Sequence, residues 1–253
     1  MRLGGKVVVV TGSGHGIGEA FAHRFTAEGA RVVVTDIDAE ATDRVAAAIG
    51  SVGLAGDITA EDTVRAVADV ARGTYGEIDV WYSNAGMSGP REPGEIQDDA
   101  RWEQAWNLHV MSHVYAVREV VPAMLERGDG YLLQTASIVS LSAQADKASY
   151  SVTKHAALAL AEWLAISYRP RGIKVSCFCP GPMLTRMLLS NEYPPDHPVM
   201  KTALTPAQVA DLLVGAIDAE RFLILDNDAA LDALRARADD YDGWINRMGG
   251  TYS

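Results

Sequence analysis

The stretch "YSVTKHAALAL", Tyr150 to Leu160, sets a phenol and an ammonium four residues apart at the head of an otherwise aliphatic segment. At that spacing Tyr150 and Lys154 share one helix face. A free tyrosine titrates near a pKa of about 10 and is a poor base at neutral pH. A nearby ammonium favours the phenolate. Lowering the phenol by about two to three units takes roughly 3–4 kcal/mol of differential interaction. A phenol tuned this way exchanges a proton with an alcohol or a carbonyl. Alone, Tyr-x-x-x-Lys is ordinarily the edge of an amphipathic helix, so the pair acquires meaning only from its company.

The first companion is "TGSGHGIGEA", with glycines at 12, 14, 16 and 18. It follows an apolar β-branched run and opens a helical pattern. Backbone N–H groups at such a turn, with the helix N-terminus, suit a pyrophosphate. The G-x-G-x-x-G fingerprint does not fit, whereas G-x-x-x-G-x-G through Gly12, Gly16 and Gly18 does, and no Gly-Lys-Ser/Thr of a P-loop follows. His15 and Ile17 lie inside the turn. Asp36 ends the next apolar run, twenty residues after Gly16. A carboxylate there hydrogen-bonds both ribose hydroxyls of an adenosine and repels a 2′-phosphate, which points to NAD rather than NADP.

The elements that must position these groups follow from the apolar pattern. Short runs ("KVVVVTG", "RVVVTD", "VGLAGD", "IDVWYSNAG", "GYLLQTAS", "IKVSCFCPG", "RFLILD") alternate with helical periods. Among the latter, a helix is expected from about Asp99 to Arg127, and another after "GDIT" with Thr59 as N-cap. Alternation of this kind predicts a three-layer α/β/α domain, doubly wound and Rossmann-like, around a seven-stranded parallel sheet. Near-continuous valine runs fit strands buried on both faces. Residues 1–227 form the expected catalytic domain, with a substrate lid over about 183–204. Residues 228–253 read as an acidic, Trp-containing helical tail of the same domain or a subunit contact. Ser137 in "TASIVS", Asn84 in "SNAG" and Pro180 in "CPGP" all fall at the carboxyl ends of strands, where open parallel sheets bind ligands.

With these pieces in place the chain resembles the short-chain dehydrogenase/reductase family. The resemblance rests on T-G-x-x-x-G-I-G at Thr11 to Gly18, Asp57 in "GDIT", N-A-G at Asn84 to Gly86, Asn107 in "WNLHV", Ser137, Tyr150-x-x-x-Lys154, and Pro180 and Gly181 with Thr185 beyond. It covers about residues 5–225 and implies a role for each position. Tyr150 becomes the general acid/base, and Lys154 lowers its pKa and holds the nicotinamide ribose. Ser137 polarises the substrate oxygen, and Asn107 holds a water linking Lys154 to solvent. Asp57 and Ile58 face the adenine, and Asn84, Ala85 and Gly86 pass the cofactor ribose. Pro180, Gly181, Met183 and Thr185 meet the nicotinamide carboxamide. Gln144 and Met187, with Ser137 and Tyr150, are the candidate substrate contacts, and the apolar segment around Met187 to Leu189 suggests an apolar alcohol or ketone of moderate size. The implied activity is NAD-dependent interconversion of a secondary alcohol and a ketone. The rivals are an NADPH-dependent carbonyl reductase and a non-catalytic NAD sensor on the same fold.

The family also implies a homodimer or homotetramer. Its subunit contacts are a four-helix bundle, from the helices at Trp102–Met124 and Tyr150–Tyr168, and a second contact around the last strand. Here the chain departs from the pattern, since "RFLILDNDAALDALRARADDYDGWINRMGGTYS" replaces the usual strand and Asp-Gly-Gly. A net charge of −11 without a basic run argues against nucleic acid and anionic membrane surfaces as partners. With no long apolar run, a cytoplasmic location is expected. Cys177 and Cys179 read as packed core thiols. His109 and His113, four apart, lack a third zinc ligand and read as helix-surface or subunit-contact residues.

Overall fold

The computed structural model describes residues 1–251 apart from Pro90, Pro93 and Glu192. Seven parallel strands form one sheet in the order β3-β2-β1-β4-β5-β6-β7. They are β1 (Val7–Thr11), β2 (Arg31–Thr35), β3 (Val52–Gly53), β4 (Val80–Ser83), β5 (Gly130–Thr135), β6 (Ile173–Phe178) and β7 (Leu223–Ile224). The valine run of β1 shows why the sequence does not alternate with polar residues. Val8 and Val10 point into one cluster with Phe21, Phe25, Tyr82 and Phe178, and Val7 and Val9 point into another with Trp81, Val64, Val67 and Met124. Both faces are covered, so every position in the strand is apolar.

The first face carries α1 (Gly16–Ala27), α2 (Ala39–Ala48) and α9 (Pro206–Asp218); the second carries α3 (Glu61–Tyr75), α5 (Ser112–Arg127) and α6 (Ala148–Tyr168). This is the expected three-layer, doubly wound domain. The winding reverses between β1 and β4, which pair directly, with Val9 opposite Trp81. Such a reversal opens a crevice at the carboxyl ends of the strands. Two short helices, α7 (Arg186–Leu189) and α8 (Pro198–Thr202), lie beyond β6, and α10 (Ala229–Asp239) and α11 (Tyr241–Thr251) follow β7. Among the described residues no helix is long and apolar enough to cross a membrane.

Three expectations are corrected. The helix from Asp99 to Arg127 is interrupted: α4 (Asp99–Trp106) passes into a π-helical segment, Asn107–Met111, before α5. Ser112 N–H bonds back to the Asn107 carbonyl, one residue further than α-helical spacing. Such widened turns recur at functional sites. The extra residue turns the histidines inward, so His109 and His113 are fully buried rather than on a surface. Thr59 does not cap α3; its hydroxyl and N–H both go to Asp57, and Ala60 takes the cap position. Cys177 and Cys179 are buried free thiols, as expected.

Burial makes both histidines titration liabilities. Desolvation, reinforced by the Lys154 charge, holds His109 well below the ordinary imidazole range and pulls His113 down to about 3. The unfolded chain takes up a proton near the usual value of about 6.5 and the folded chain does not. Stability is therefore lost as pH falls from about 6.5 towards 3, by up to about 1.4 kcal/mol per pH unit from His113 alone. The His113→Leu variant should show a stability profile between pH 6 and 4 that is flatter by about that slope. Urea denaturation at stepped pH measures it, and a profile parallel to wild type would refute the buried neutral imidazole.

Candidate active site

The glycine turn is built where β1 ends. Gly12 and Gly16 take φ of 63° and 57°, the left-handed region that glycine alone adopts freely. Gly18 is needed for closeness: a Cβ there would fall 2.0 Å from the Gly12 carbonyl oxygen and 2.7 Å from Asn84 Nδ2. The three glycines of the G-x-x-x-G-x-G spacing thus have distinct steric reasons. The first turn of α1, whose N–H groups lack intrahelical partners, opens on the crevice and suits an anion. His15 offers no side-chain cap to α1; its Nε2 lies 2.9 Å from Asp38 Oδ2. The Asp36 carboxylate accepts from Gly14 N–H at 2.9 Å and Asp38 N–H at 3.1 Å, which fixes it at the rim of the turn. Across from it, Asp57 is exposed and Ile58 buried.

Thr11 ties this turn to the loop after β4. Its Oγ1 accepts from the backbone N–H groups of Asn84 (2.9 Å) and Ala85 (3.0 Å). Asn84 Nδ2 donates back to the Thr11 carbonyl at 3.0 Å, and Asn84 Oδ1 accepts from the Thr135 hydroxyl at 3.0 Å. The Thr135 carbonyl in turn accepts from Lys154 Nζ at 3.0 Å. A polar chain therefore runs from β1 through β4 and β5 to α6.

Tyr150 and Lys154 lie in the first two turns of α6, and Ser137 follows β5. Ser137 caps a short 3-10 turn: its Oγ accepts from Val139 N–H at 3.1 Å while Ser140 Oγ accepts from Ser137 N–H at 3.2 Å. Lys154 is only 3 % exposed, and its Nζ stands 5.8 Å from the Tyr150 ring centroid. Burial pulls its ammonium down to about 8. Burial also raises the Tyr150 phenol, opposed by a hydrogen bond with Ser137. The expected lowering of the phenol by Lys154 is absent; what opposes desolvation is the hydrogen bond with Ser137. Asn107 opens the π-helical segment and is exposed to the crevice. Beside it, His109 Nε2 accepts from Met87 N–H at 3.2 Å and its Nδ1 meets Thr153 Oγ1 at 2.9 Å. Thr153 donates to the Ser149 carbonyl at 2.7 Å, so the imidazole carries its proton on Nδ1. Its ring meets Tyr150 edge-on, 5.7 Å between centroids.

The residues given catalytic, cofactor or substrate roles line one cleft of about 1210 Å³, whereas Thr11, Gly14, His109, His113, Cys177 and Cys179 do not line it. Gly181 N–H is held by Asp226 Oδ2 at 2.9 Å, beside Pro180, and Met183 pairs with Leu204 where the segment beyond β6 leaves and returns. Thr185, Gln144 and Met187 complete the set. The cleft exceeds the usual small-molecule range of about 300–1,000 Å³, which leaves room for a dinucleotide and a second molecule. The cradle fits a dinucleotide's phosphates: left-handed glycines, a helix N-terminus, and no room for a Cβ at Gly18. Other residues of the cleft had escaped notice: Met87, Ser88, Arg91, Glu103, Lys147, Arg186 and Tyr193. None of them stands in a pattern that marks it in the sequence, and Lys147, three before Tyr150, reads there as a loop lysine. Among the described residues the tail adds no lining residue, but Arg237 donates to the Leu141 carbonyl at 2.7 Å and stacks over Trp244 at 4.5 Å. It thereby braces the loop that follows Ser137.

A glycine cradle and a Ser–Tyr–Lys cluster at the switch point of a doubly wound sheet define a dinucleotide-dependent oxidoreductase. Comparison with known proteins agrees. The family model for short chain dehydrogenase matches residues 6–194. The chain is 35% identical over 247 residues to 1-deoxy-11-beta-hydroxypentalenate dehydrogenase of Streptomyces exfoliatus, covering 95% of this chain and 90% of the relative. A short chain dehydrogenase/reductase from Burkholderia phymatum in complex with NAD superposes with a TM-score of 0.87 at 27% identity, over 96% of each chain. A 7 alpha-hydroxysteroid dehydrogenase complexed with NADH and 7-oxo glycochenodeoxycholic acid gives 0.80 at 30% identity, over 88% of this chain and 93% of that one. The chain belongs to the short-chain dehydrogenase family.

The Thr11 junction is testable by itself. Thr11→Val keeps the shape and strands two N–H acceptor needs, at about 1–3 kcal/mol for each buried unpaired group. Chemical denaturation should show a loss of about 2–4 kcal/mol, restored by Thr11→Ser. Equal stability of Thr11→Val and wild type would remove the junction from the account.

Proposed function

We propose that the protein is an NAD-dependent oxidoreductase that interconverts a secondary alcohol and a ketone, with Tyr150 as general acid/base. The observation that carries this is the convergence of Ser137, Tyr150 and Lys154 at the end of a cleft that begins at the glycine turn. The phosphates of the cofactor would rest on the turn and the α1 N-terminus, the adenosine ribose on Asp36, the adenine by Asp57 and Ile58, and the nicotinamide between Asn84–Gly86 and Pro180–Thr185. Bound NAD supplies the hydride acceptor, and its reduced form the donor. Ser137 Oγ hydrogen-bonds the substrate oxygen and orients it towards the phenol. Tyr150 Oη takes the hydroxyl proton in oxidation and returns it in reduction. Lys154 holds the nicotinamide ribose and offsets charge developing on the phenolate. Asn107, at the widened turn, holds the water that leads the proton to solvent.

The rivals are weighed on particular contacts. Arg44 lines the cleft near Asp36 and carries a guanidinium suited to a 2′-phosphate. It is already engaged, with Glu19 at 2.5 Å and 3.0 Å and with the Gly14 carbonyl at 2.8 Å, which supports NAD. A sensor would need no phenol beside a buried ammonium. The substrate is read as largely apolar and of moderate size, since Met87, Leu108, Met183, Met187 and Leu188 line the cleft, and the segment beyond β6 that carries the last three is read as its lid. The relatives named for hydroxypentalenate and hydroxysteroid support a hydroxyl on an apolar frame. Assembly is read as a homodimer or homotetramer through the α4–α6 face, where Trp106, Val152, Trp163 and Ile166 are exposed. Trp163→Glu with Ile166→Glu should convert the assembly to monomer in light scattering, and an unchanged mass would dismiss this face.

The central test is NADH formation with secondary alcohols of aliphatic, cyclic, aryl and steroid size. Tyr150→Phe should lower turnover at least about a hundredfold, the scale of a positioned proton-transfer group. Because oxidation needs the phenolate and burial raises the phenol, wild-type oxidation should climb with pH into the alkaline range, and ketone reduction should climb as pH falls. Residual Tyr150→Phe turnover within a few-fold of wild type would dismiss the tyrosine mechanism. Asp36→Ala should narrow the preference for NAD over NADP, and an unaltered ratio would reassign that carboxylate.

A further inference from the structure

Lys147 is an anomaly beside the site. It is 7 % exposed and lines the cleft. Its ammonium stands 5.8 Å from the Tyr150 ring centroid, the same distance as Lys154. Lys154 donates to the Thr135 carbonyl, whereas Lys147 Nζ has no hydrogen bond or ion pair among the described residues. Lys147 also occupies the N-cap position of the 21-residue α6, the positive end of that helix's dipole. A second cation lies nearby: burial first and then Arg91 push the Lys147 ammonium downward, while Asp146 opposes them. An ammonium with no hydrogen-bond or ion-pair partner among the described residues, buried at a helix N-terminus and near another cation, is held at a cost that a ligand anion would relieve.

We infer that Lys147, with Arg91 beside it, seats a carboxylate of the substrate, which is therefore an apolar hydroxy or oxo monocarboxylate with its anion a few bonds from the reacting carbon. This rests on the oxidoreductase reading and narrows its substrate class. The groups around Lys147 set the charge. Arg91 Nη1 is 3.5 Å from Asp146 Oδ2, its guanidinium lies 5.1 Å over the Tyr193 ring, and Glu103 lines the same end of the cleft. Arg91 is thus paired with Asp146, and Lys147 is left with one positive charge, which balances one negative charge and not the two of a phosphate monoester. Position is fixed as well: Glu92 N–H bonds the Asp146 carbonyl at 2.9 Å, so the Arg91 and Lys147 segments are tied together. Tyr150 is then flanked by one lysine committed to the protein and one left for the substrate.

The test uses cyclic hydroxycarboxylates from cyclohexane to steroid size, each beside its methyl ester, with the full-length enzyme and NAD. Wild type should prefer acid over ester in kcat/KM by about 10- to 100-fold, the scale of one charge-assisted hydrogen bond in a partly buried site. Lys147→Met should bring that ratio within about threefold of unity, mainly through KM, and Lys147→Arg should restore most of it. Turnover of acids and esters alike by wild type would overturn the carboxylate seat and leave the oxidoreductase reading standing. If no alcohol is oxidised, the parent reading fails separately, and calorimetric titration of the acids decides the seat. Acid binding by wild type that Lys147→Met abolishes upholds it, and acid and ester binding alike, or neither binding, overturns it. A thermal melt of each variant within a few degrees of wild type confirms that the ratio reports the site and not the fold.

Discussion

The site is organised by the burial of one ammonium. Lys154 is almost wholly removed from water, with the Thr135 carbonyl as its hydrogen-bond acceptor. A charge in that position is costly unless its surroundings supply polarity. The surroundings do so through a lattice that starts far away in sequence: Thr11 holds the backbone of Asn84 and Ala85, Asn84 holds Thr135, and Thr135 holds Lys154. The same ammonium enforces neutrality next door. Its field, added to desolvation, keeps His109 and His113 uncharged, so this region of the core carries a single positive charge. A neutral His109 can accept from Met87 N–H, which a protonated ring could not, and so the loop after β4 depends indirectly on the charge of Lys154.

The sheet converts this local demand into a place for two molecules. Because β1, β4, β5 and β6 are parallel neighbours, their carboxyl ends form one edge, and each contributes a loop there. The glycine turn follows β1, the Asn84 loop β4, Ser137 β5 and the Pro180 turn β6. No side chain has to reach far. The π-helical turn at Asn107–Met111 does the remaining adjustment, since one extra residue presents Asn107 to the cleft and His109 to Tyr150 at once.

Which parts were legible in the sequence follows from the range of the interactions. The valine runs revealed a doubly covered sheet because burial on both faces leaves a composition signature in five residues. Tyr150 and Lys154 were legible because a helix face repeats every three to four residues, and Gly12, Gly16 and Gly18 because backbone conformation and close approach are demands only glycine meets. Thr11 was matched as a motif letter, but its work is hydrogen bonding to amides 73 and 74 residues away, which no local pattern encodes. The π-helical segment was missed because a single added residue in a hydrogen-bond ladder barely disturbs apolar spacing over five positions. With it went the burial of both histidines. Thr59 was misplaced for a related reason: Asp57, two residues earlier, competes for its hydroxyl and N–H, and the cap shifts by one.

Lys147 shows the converse limit. In sequence it is an ordinary loop lysine, and solvation is the default expectation for its type. Only the fold reveals that Glu92 and Asp146 pair their backbones, that the Lys147 side chain is buried, and that among the described residues no carboxylate pairs with its ammonium. The two lysines flanking Tyr150 at equal distance therefore differ in what they can do. Lys154 has a protein acceptor, the Thr135 carbonyl. Lys147 has none, faces the substrate side, and would bind most tightly whatever supplies the missing negative charge. In a chain of net charge −11, a cleft that retains an unneutralised cation within reach of its phenol selects for substrates that carry the counterion themselves.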